Sequence, residues 1–174
     1  MAKNKFLPTV VLSAICIAVA LILSVANIFT APKIEENQKE KVITALKEVY
    51  PQSESFAEVD ISPLGLPAEI TEVYSTADGG YVFKVSVRGY STGLIIMCGI
   101  DADGKITGTK YIESKETNGA EDKIDGTFNG LSSDSKMPEF IKGSTKTSQA
   151  YRSAVELSFK SFEILTQGKG EQSK

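Results

Sequence analysis

The chain contains 174 residues, carries a net charge of -3 and has neither histidine nor tryptophan. The lack of an imidazole excludes histidine acid–base catalysis, Ser–His triads and histidine metal sites. The mildly acidic composition gives no basic patch or stripe of the kind that binds nucleic acid, so no nucleic-acid partner is expected. The two cysteines, Cys16 and Cys98, have neither CxxC nor metal-ligand spacing, and we expect no disulfide between them.

An uncharged apolar run extends from Phe6 to Pro32, with lysines on both sides. A membrane-spanning helix needs about 20 mostly apolar residues, so the run is long enough to cross a bilayer. A cleaved signal peptide is the alternative, because Ser24 and Ala26 form a small-x-small pattern. The run exceeds the apolar core of about 7–15 residues that signal peptides have. We therefore expect a retained transmembrane anchor over residues 1–32, embedded in the lipid bilayer.

The basic residues around the run bear on its orientation. Lys3, Lys5 and the amino terminus precede the run, and three further lysines follow it within nine residues of Pro32. The positive-inside rule, applied to the residues before the run, favours a cytoplasmic amino terminus. The sequence thus predicts a single-pass protein of the cell membrane, with its soluble domain on the extracytoplasmic side.

The rest of the chain, residues 33–174, suits a single domain. Apolar residues recur at helical spacing over 33–50, which predicts a helix that connects the anchor to the domain. Between residues 68 and 113, four stretches rich in β-branched and aromatic residues alternate with turn sequences. They predict an antiparallel meander of about four strands, so the fold class is α+β: a transmembrane helix and one domain whose antiparallel sheet is flanked by helices.

One of these turns, Asp101-Ala102-Asp103-Gly104, also invites a calcium interpretation. Carboxylates at alternate positions can ligate a hard cation, but the other ligands of a calcium loop are missing, notably a suitably placed glutamate. A hairpin turn is therefore preferred, and no metal site is predicted.

A hydroxyl cluster follows a long polar loop and stands at the start of a predicted helix, within residues 139–166. Ser144, Thr145, Thr147 and Ser148 come directly after Gly143. Hydroxyls at this position cap a helix by accepting hydrogen bonds from first-turn N–H groups. The same N–H groups and the positive end of the helix dipole can instead bind an anion such as phosphate. The residues alone favour capping and leave anion binding open.

The cluster resembles a known signature. The stretch KGSTKTSQAYRSAV is similar to S-G-A-T-x-T-S-x-A-[VY] of the FMN-binding domain found in the G subunit of Rnf complexes and in the C subunit of sodium-pumping NADH:quinone oxidoreductases. The resemblance implies that Thr145 is joined covalently to the phosphate of FMN by a separate flavin transferase. It also assigns cofactor-binding positions to Gly143, Ser144, Thr147 and Ser148, and it implies no catalytic side chain.

Further segments extend the resemblance in family order. LPTVVLSAICIAVALILSVANIFTAPKI is similar to the family's anchor, and RGYSTGLIIMCGIDADGKITGTKYIESKETNG to its central run. These matches make Tyr90, Glu116 and Thr117 candidates for the flavin pocket. The chain departs from the transferase motif at three positions, where Glu139 replaces an aspartate, Lys142 replaces a serine and Ser144, still a small residue, replaces an alanine.

The resemblance implies an electron-carrying flavoprotein subunit of an Rnf ferredoxin:NAD+ oxidoreductase that translocates ions, with the other Rnf subunits as partners. It implies no substrate turnover by the isolated chain. Two alternatives are the equivalent subunit of a quinone-reducing sodium pump and a membrane-anchored binding module without redox chemistry.

Overall fold

The computed structural model describes residues 7–90, 93–113 and 119–171. The chain divides into two compact units, Met1–Lys41 and Val42–Lys174. In the first unit the backbone is helical from Leu7 onward, as part of helix α1 (Leu7–Val49). The predicted apolar segment and the predicted connecting helix therefore form one continuous helix.

The amino-terminal part of α1 has an apolar surface. Among the described residues, Thr9–Ile28 is the one helical stretch long and apolar enough to cross a membrane, with a mean hydropathy of 2.7. Its large apolar side chains are exposed, namely Val10, Val11, Leu12, Ile15, Ile17, Val19, Leu21, Ile22, Leu23, Val25 and Ile28. Exposed apolar surface of this extent marks an interaction with lipid or protein.

The second unit is built on a five-stranded antiparallel meander in the order β1-β2-β3-β4-β5. The strands are β1 (Phe56–Glu58), β2 (Ile70–Thr76), β3 (Tyr81–Val87), β4 (Leu94–Ile100) and β5 (Ile106–Glu113). The predicted antiparallel sheet and α+β class are confirmed. The strand missed by the prediction is β1, whose three residues are too few to show an alternating pattern.

One face of the sheet packs against α3 (Thr145–Glu171), with the short helix α2 (Ala120–Ile124) beside it. Alternate residues of β3 and β4 point to this face because successive side chains of a strand point to opposite sides. They meet the inner face of α3, and the buried set includes Phe83, Val85, Ile96, Cys98, Tyr151, Val155 and Phe159. Tyr151, Val155, Phe159 and Leu165 of α3 are buried, and Phe162 is half-buried.

The opposite face of the sheet receives the last turns of α1. Leu46, Val49 and Tyr50 form a small buried cluster with Val82 and Met97. The α1 backbone ends close to the sheet, and its last residue is fixed there because Thr107 Oγ1 donates to the Val49 carbonyl at 2.8 Å. That bond satisfies one of the carbonyls that a helix leaves without an intrahelical donor at its end.

A glycine permits this close approach. A Cβ atom on Gly108 would lie 2.7 Å from the Val49 carbonyl oxygen and 3.0 Å from the Val49 Cα. Both partners are backbone atoms, which cannot rotate away as a side chain could. The second unit therefore has helices on both faces of its sheet, and the α1 face depends on the absence of a side chain at residue 108.

We expect Gly108→Ala to lower the free energy of unfolding by about 3 kcal/mol, because the added methyl overpacks the contact with Val49. Gly65→Ala is the control: its Cβ meets nothing within 4 Å, but its φ of 61° is unfavourable for alanine. We expect the control to lower the free energy of unfolding by about 1 kcal/mol, from that backbone strain alone. Urea denaturation of the detergent-solubilised full chain measures both, and equal losses would contradict the close approach.

Candidate functional site

The hydroxyl cluster lies where α3 begins. Thr145 is the first helical residue, and Ser144 immediately precedes the helix. Gly143 has a φ of +83°, a left-handed value that residues with a Cβ rarely adopt. The Ser144 N–H donates to the Ile141 carbonyl at 3.0 Å, which closes a turn just before the helix. Gly143 thus reverses the chain so that α3 starts at Thr145.

The four hydroxyls do not face the same way. Thr145 is exposed and Ser144 is half-buried, whereas Thr147 and Ser148 are only 3% and 5% exposed. Each helical residue turns by about 100°, so residues two and three positions beyond Thr145 face the core. Thr145 is therefore the one residue of the cluster that is exposed rather than half-buried or buried.

Ser148 anchors the chain that leads into the helix. Its Oγ accepts a hydrogen bond from the Ile141 N–H at 3.1 Å. Its own N–H donates to the Ser144 carbonyl at 2.9 Å, the first bond of helical spacing in α3. Helices leave the N–H groups of their first turn without intrahelical acceptors, and these groups carry the positive end of the dipole. A phosphate ester on Thr145 would meet that end of α3.

An open groove with a volume of 660 Å³ lies beside the start of α3. Ligand sites in proteins typically measure about 300–1,000 Å³, so a nucleotide-sized molecule fits. Two basic residues, Arg88 and Lys146, and one acidic residue, Glu69, lie along it. The other lining residues are Ser86, Val87, Gly89, Gly93, Gln149, Ala150, Ser153 and Leu157.

Tyr90 lies next to the same helix start. Its ring is 67% exposed, and the Lys146 Nζ lies 5.5 Å from the ring centroid, within cation–π range. The structure therefore brings this predicted pocket residue close to the neighbour of Thr145. The other two predicted pocket residues, Glu116 and Thr117, lie outside the described residues.

Sequence reasoning missed the α3 side of the groove. Lys146, Gln149 and Ser153 recur at intervals of three and four residues, so they share one side of α3. This spacing of polar residues could have predicted a polar surface along one side of α3. The opposite wall, which includes Arg88, Gly89 and Gly93, required knowledge of how the sheet packs on the helix.

A partly buried polar network lies beside the core face of α3. Tyr151 Oη donates to Asp125 Oδ1 at 2.7 Å, and Lys110 Nζ lies 3.6 Å from Asp125 Oδ2 and 3.4 Å from Glu48 Oε2. Burial raises the pKa of Asp125 and that of Tyr151. Burial lowers the pKa of Lys110, but the two carboxylates outweigh this and raise it. The network holds α3 to β5 in a fixed position.

The turn at Asp101 uses its carboxylate locally. Asp101 Oδ1 accepts hydrogen bonds from the N–H groups of Asp103 at 3.0 Å and Lys105 at 2.8 Å. This arrangement closes the connection between β4 and β5, as expected for the predicted hairpin turn.

Comparison with known proteins matches this region to a family. Residues 89–160, which include Tyr90, most of the groove and the start of α3, match the FMN-binding domain model. The chain is 31% identical to the G subunit of the Na+-translocating ferredoxin:NAD+ oxidoreductase complex of Acetobacterium woodii, with 94% of each chain covered.

More distant relatives carry a similar description. The G subunit of the ion-translocating oxidoreductase complex of Stutzerimonas stutzeri is 30% identical over 70% of this chain and 59% of its own length. The protein of the same description from Cereibacter sphaeroides is 30% identical over 61% of this chain and 52% of its own. The chain thus spans nearly all of the Acetobacterium relative and between half and two thirds of these two.

Proposed function

The chain belongs to the family of Rnf-complex G subunits, components of the ion-translocating ferredoxin:NAD+ oxidoreductases, and contains an FMN-binding domain; on this premise we propose that it carries FMN on Thr145 through a phosphoester bond. The observation that carries this proposal is the exposure of Thr145 at the amino-terminal end of α3. The other three hydroxyls of the cluster are half-buried or buried, and so are poorer acceptors.

The local geometry supports an anionic group at this position. The first-turn N–H groups and the helix dipole of α3 stabilise negative charge next to Thr145. Gly143 has no side chain that would block the approach of a phosphate. The space beside it is also open, because a Cβ built there would have no atom within 4 Å. Lys142 and Lys146, both exposed, add positive charge on either side. The residues present therefore fit a phosphate-linked cofactor.

We place the flavin ring in the groove beside α3. Lys146, Gln149 and Ser153 would line one side of the ring, and Arg88 the other. Lys146 would also keep the Tyr90 ring at the entrance through their present contact. When bound, FMN supplies the electron-transfer chemistry, and the protein tunes it by charge and hydrogen bonding. Positive charge from Arg88 and Lys146 would favour the reduced, more negative form of the flavin.

In this role the chain passes electrons within a membrane complex that oxidises ferredoxin, reduces NAD+ and moves ions. Its partners would be the other Rnf subunits, and a flavin transferase would attach the cofactor. Glu139 and Lys142, two of the three departures from the transferase motif, are both exposed and so remain accessible to such an enzyme. The alternative of a quinone-reducing pump differs from this role in its electron acceptor. The alternative of a non-redox module differs in carrying no flavin.

Co-expression of the full chain with a flavin transferase should give a fluorescent band and a mass increase equal to FMN less one water. Thr145→Ala should abolish both, because the acceptor oxygen is removed. Thr166→Ala is the matched control, an exposed threonine of the same helix whose Oγ1 donates to the Phe162 carbonyl. It should keep both signals. Wild-type chain that stays unmodified would favour the non-redox module.

The proposed ring position is tested with Ser153→Leu, which fills part of the groove without removing the acceptor. We expect full attachment of FMN but stronger quenching of its fluorescence by iodide, because the ring is displaced into solvent. Lys160→Leu, at an exposed position farther along α3, should leave quenching unchanged. Equal quenching in both variants would contradict the groove as the ring site.

We further propose that residues 1–32 anchor the chain and that the domain, residues 33–174, lies outside the cytoplasm. The 20 apolar residues of Thr9–Ile28 provide the length that a span requires. A covalent bond would prevent the loss of cofactor from a compartment without flavin synthesis.

Cysteine labelling tests this topology. We expect Glu163→Cys, at an exposed position of α3, to react with a membrane-impermeant maleimide in intact spheroplasts. Asn4→Cys, before the apolar run, should react only after lysis. The native Cys98 is buried and, because burial raises the pKa of its thiol to about 12, should contribute little background. The reverse labelling pattern would place the domain in the cytoplasm.

A further inference from the structure

Arg152 holds the segment that leads into the modified helix. Its Nη2 donates to the Pro138 carbonyl at 2.7 Å, and the centre of its guanidinium lies 4.3 Å from the Phe140 ring centroid. The first contact is a charge-assisted hydrogen bond, and the second is a close cation–π stack. Arg152 lies on α3, seven residues after Thr145. One side chain of α3 thus contacts two residues of the segment that precedes the helix.

The packing beneath this segment is incomplete. A cavity of 40 Å³ lies under it, lined by Ile124, Thr127 and Phe128 on one side and by residues 138–141 and Ser148 on the other. A void of this size removes part of the dispersion contact that would otherwise hold the segment. Phe140 is 40% exposed, so its ring is not buried as an anchor. Apart from the apolar packing of Ile141 against the core, the position of the segment therefore depends on polar contacts with α3.

Two side chains of α3, Ser148 and Arg152, provide such contacts. Ser148 accepts from the Ile141 N–H, and Arg152 binds Pro138 and stacks on Phe140. Within the described residues, the buried Arg152 Nε has no hydrogen-bond partner. The guanidinium is directed to this segment through Nη2 and its flat face, and lysine could not reproduce that stacking on a ring.

We infer that Arg152 is a positioning residue for the modification of Thr145, an inference that rests on the proposed function. It holds residues 138–144, which include Glu139 and Lys142, in one conformation for the flavin transferase to bind. In the reaction, Thr145 Oγ1 forms a P–O bond to the FMN phosphorus of a flavin dinucleotide donor. The pyrophosphate bond breaks, a nucleoside monophosphate leaves, and the hydroxyl proton passes to a base of the transferase or to water. Arg152 touches none of these atoms.

The test uses the purified full-length chain without flavin, a flavin transferase and flavin adenine dinucleotide, with the rate measured against acceptor concentration. Arg152→Ala should raise the KM for the acceptor about tenfold, because the ordered segment must form on binding. The kcat should change less than about twofold, since Arg152 does not contact the reacting atoms. Lys160→Ala, an exposed cation on the same helix, is the control and should match wild type.

Two further measurements separate positioning from general destabilisation. Phe140→Leu removes the stacked ring and should also raise KM, and the double variant should be less than additive because the two residues share one contact. Hydrogen exchange of the Ile141 amide should accelerate in Arg152→Ala, while exchange in β3 and β4 stays at the wild-type rate. If Arg152→Ala unfolds, Phe140→Leu and Arg152→Lys carry the same kinetic test.

A wild-type KM in Arg152→Ala and Phe140→Leu would overturn the inference and leave FMN attachment at Thr145 intact. A fall in kcat with unchanged KM would also overturn it, because that result assigns Arg152 to the chemical step. Failure of the wild-type chain to accept FMN from an active transferase would instead overturn the proposed function.

Discussion

Burial of Tyr151, Val155 and Phe159 against the sheet fixes the rotation of α3 about its own axis. Every hydroxyl at the start of the helix inherits its direction from that packing. Thr145 is exposed at the first residue of the helix, whereas Thr147 and Ser148 turn inward. The core therefore decides which oxygen is available at the surface.

A second constraint on the fold comes from the opposite face of the sheet, where the end of α1 packs. The α1 end, at Val49, lies directly on Gly108, and Lys110 of the same strand contacts both Glu48 and Asp125. Asp125 in turn accepts a hydrogen bond from Tyr151 on α3. The strand β5 thus links the helices on its two faces by side-chain contacts. Charge pairs of this kind add little net stability when exposed, but partial burial and hydrogen bonding make their geometry specific.

The sequence alone predicted the elements that have a clear residue pattern. The stretches of β-branched and aromatic residues in β2 to β5, separated by turn sequences, predicted the sheet, and the hydroxyl cluster after Gly143 marked the start of α3. The strand β1 was missed because three residues carry no period. The groove was missed because its walls, Arg88 and Ser153, are distant in sequence and meet only through packing. The inward direction of Thr147 and Ser148 follows from helical geometry, but their motif match drew attention to chemistry instead.

One wall of the groove is formed by a connection between strands and not by the buried core. Arg88, Gly89 and Gly93 belong to the connection between β3 and β4, outside the buried layers. The entropy cost of lengthening such a connection grows only slowly with the number of added residues. Insertions or substitutions there would reshape the cavity mouth at little expense to folding. Evolution, or a protein engineer, could thus retune the surroundings of the proposed flavin site while the scaffold stays unchanged.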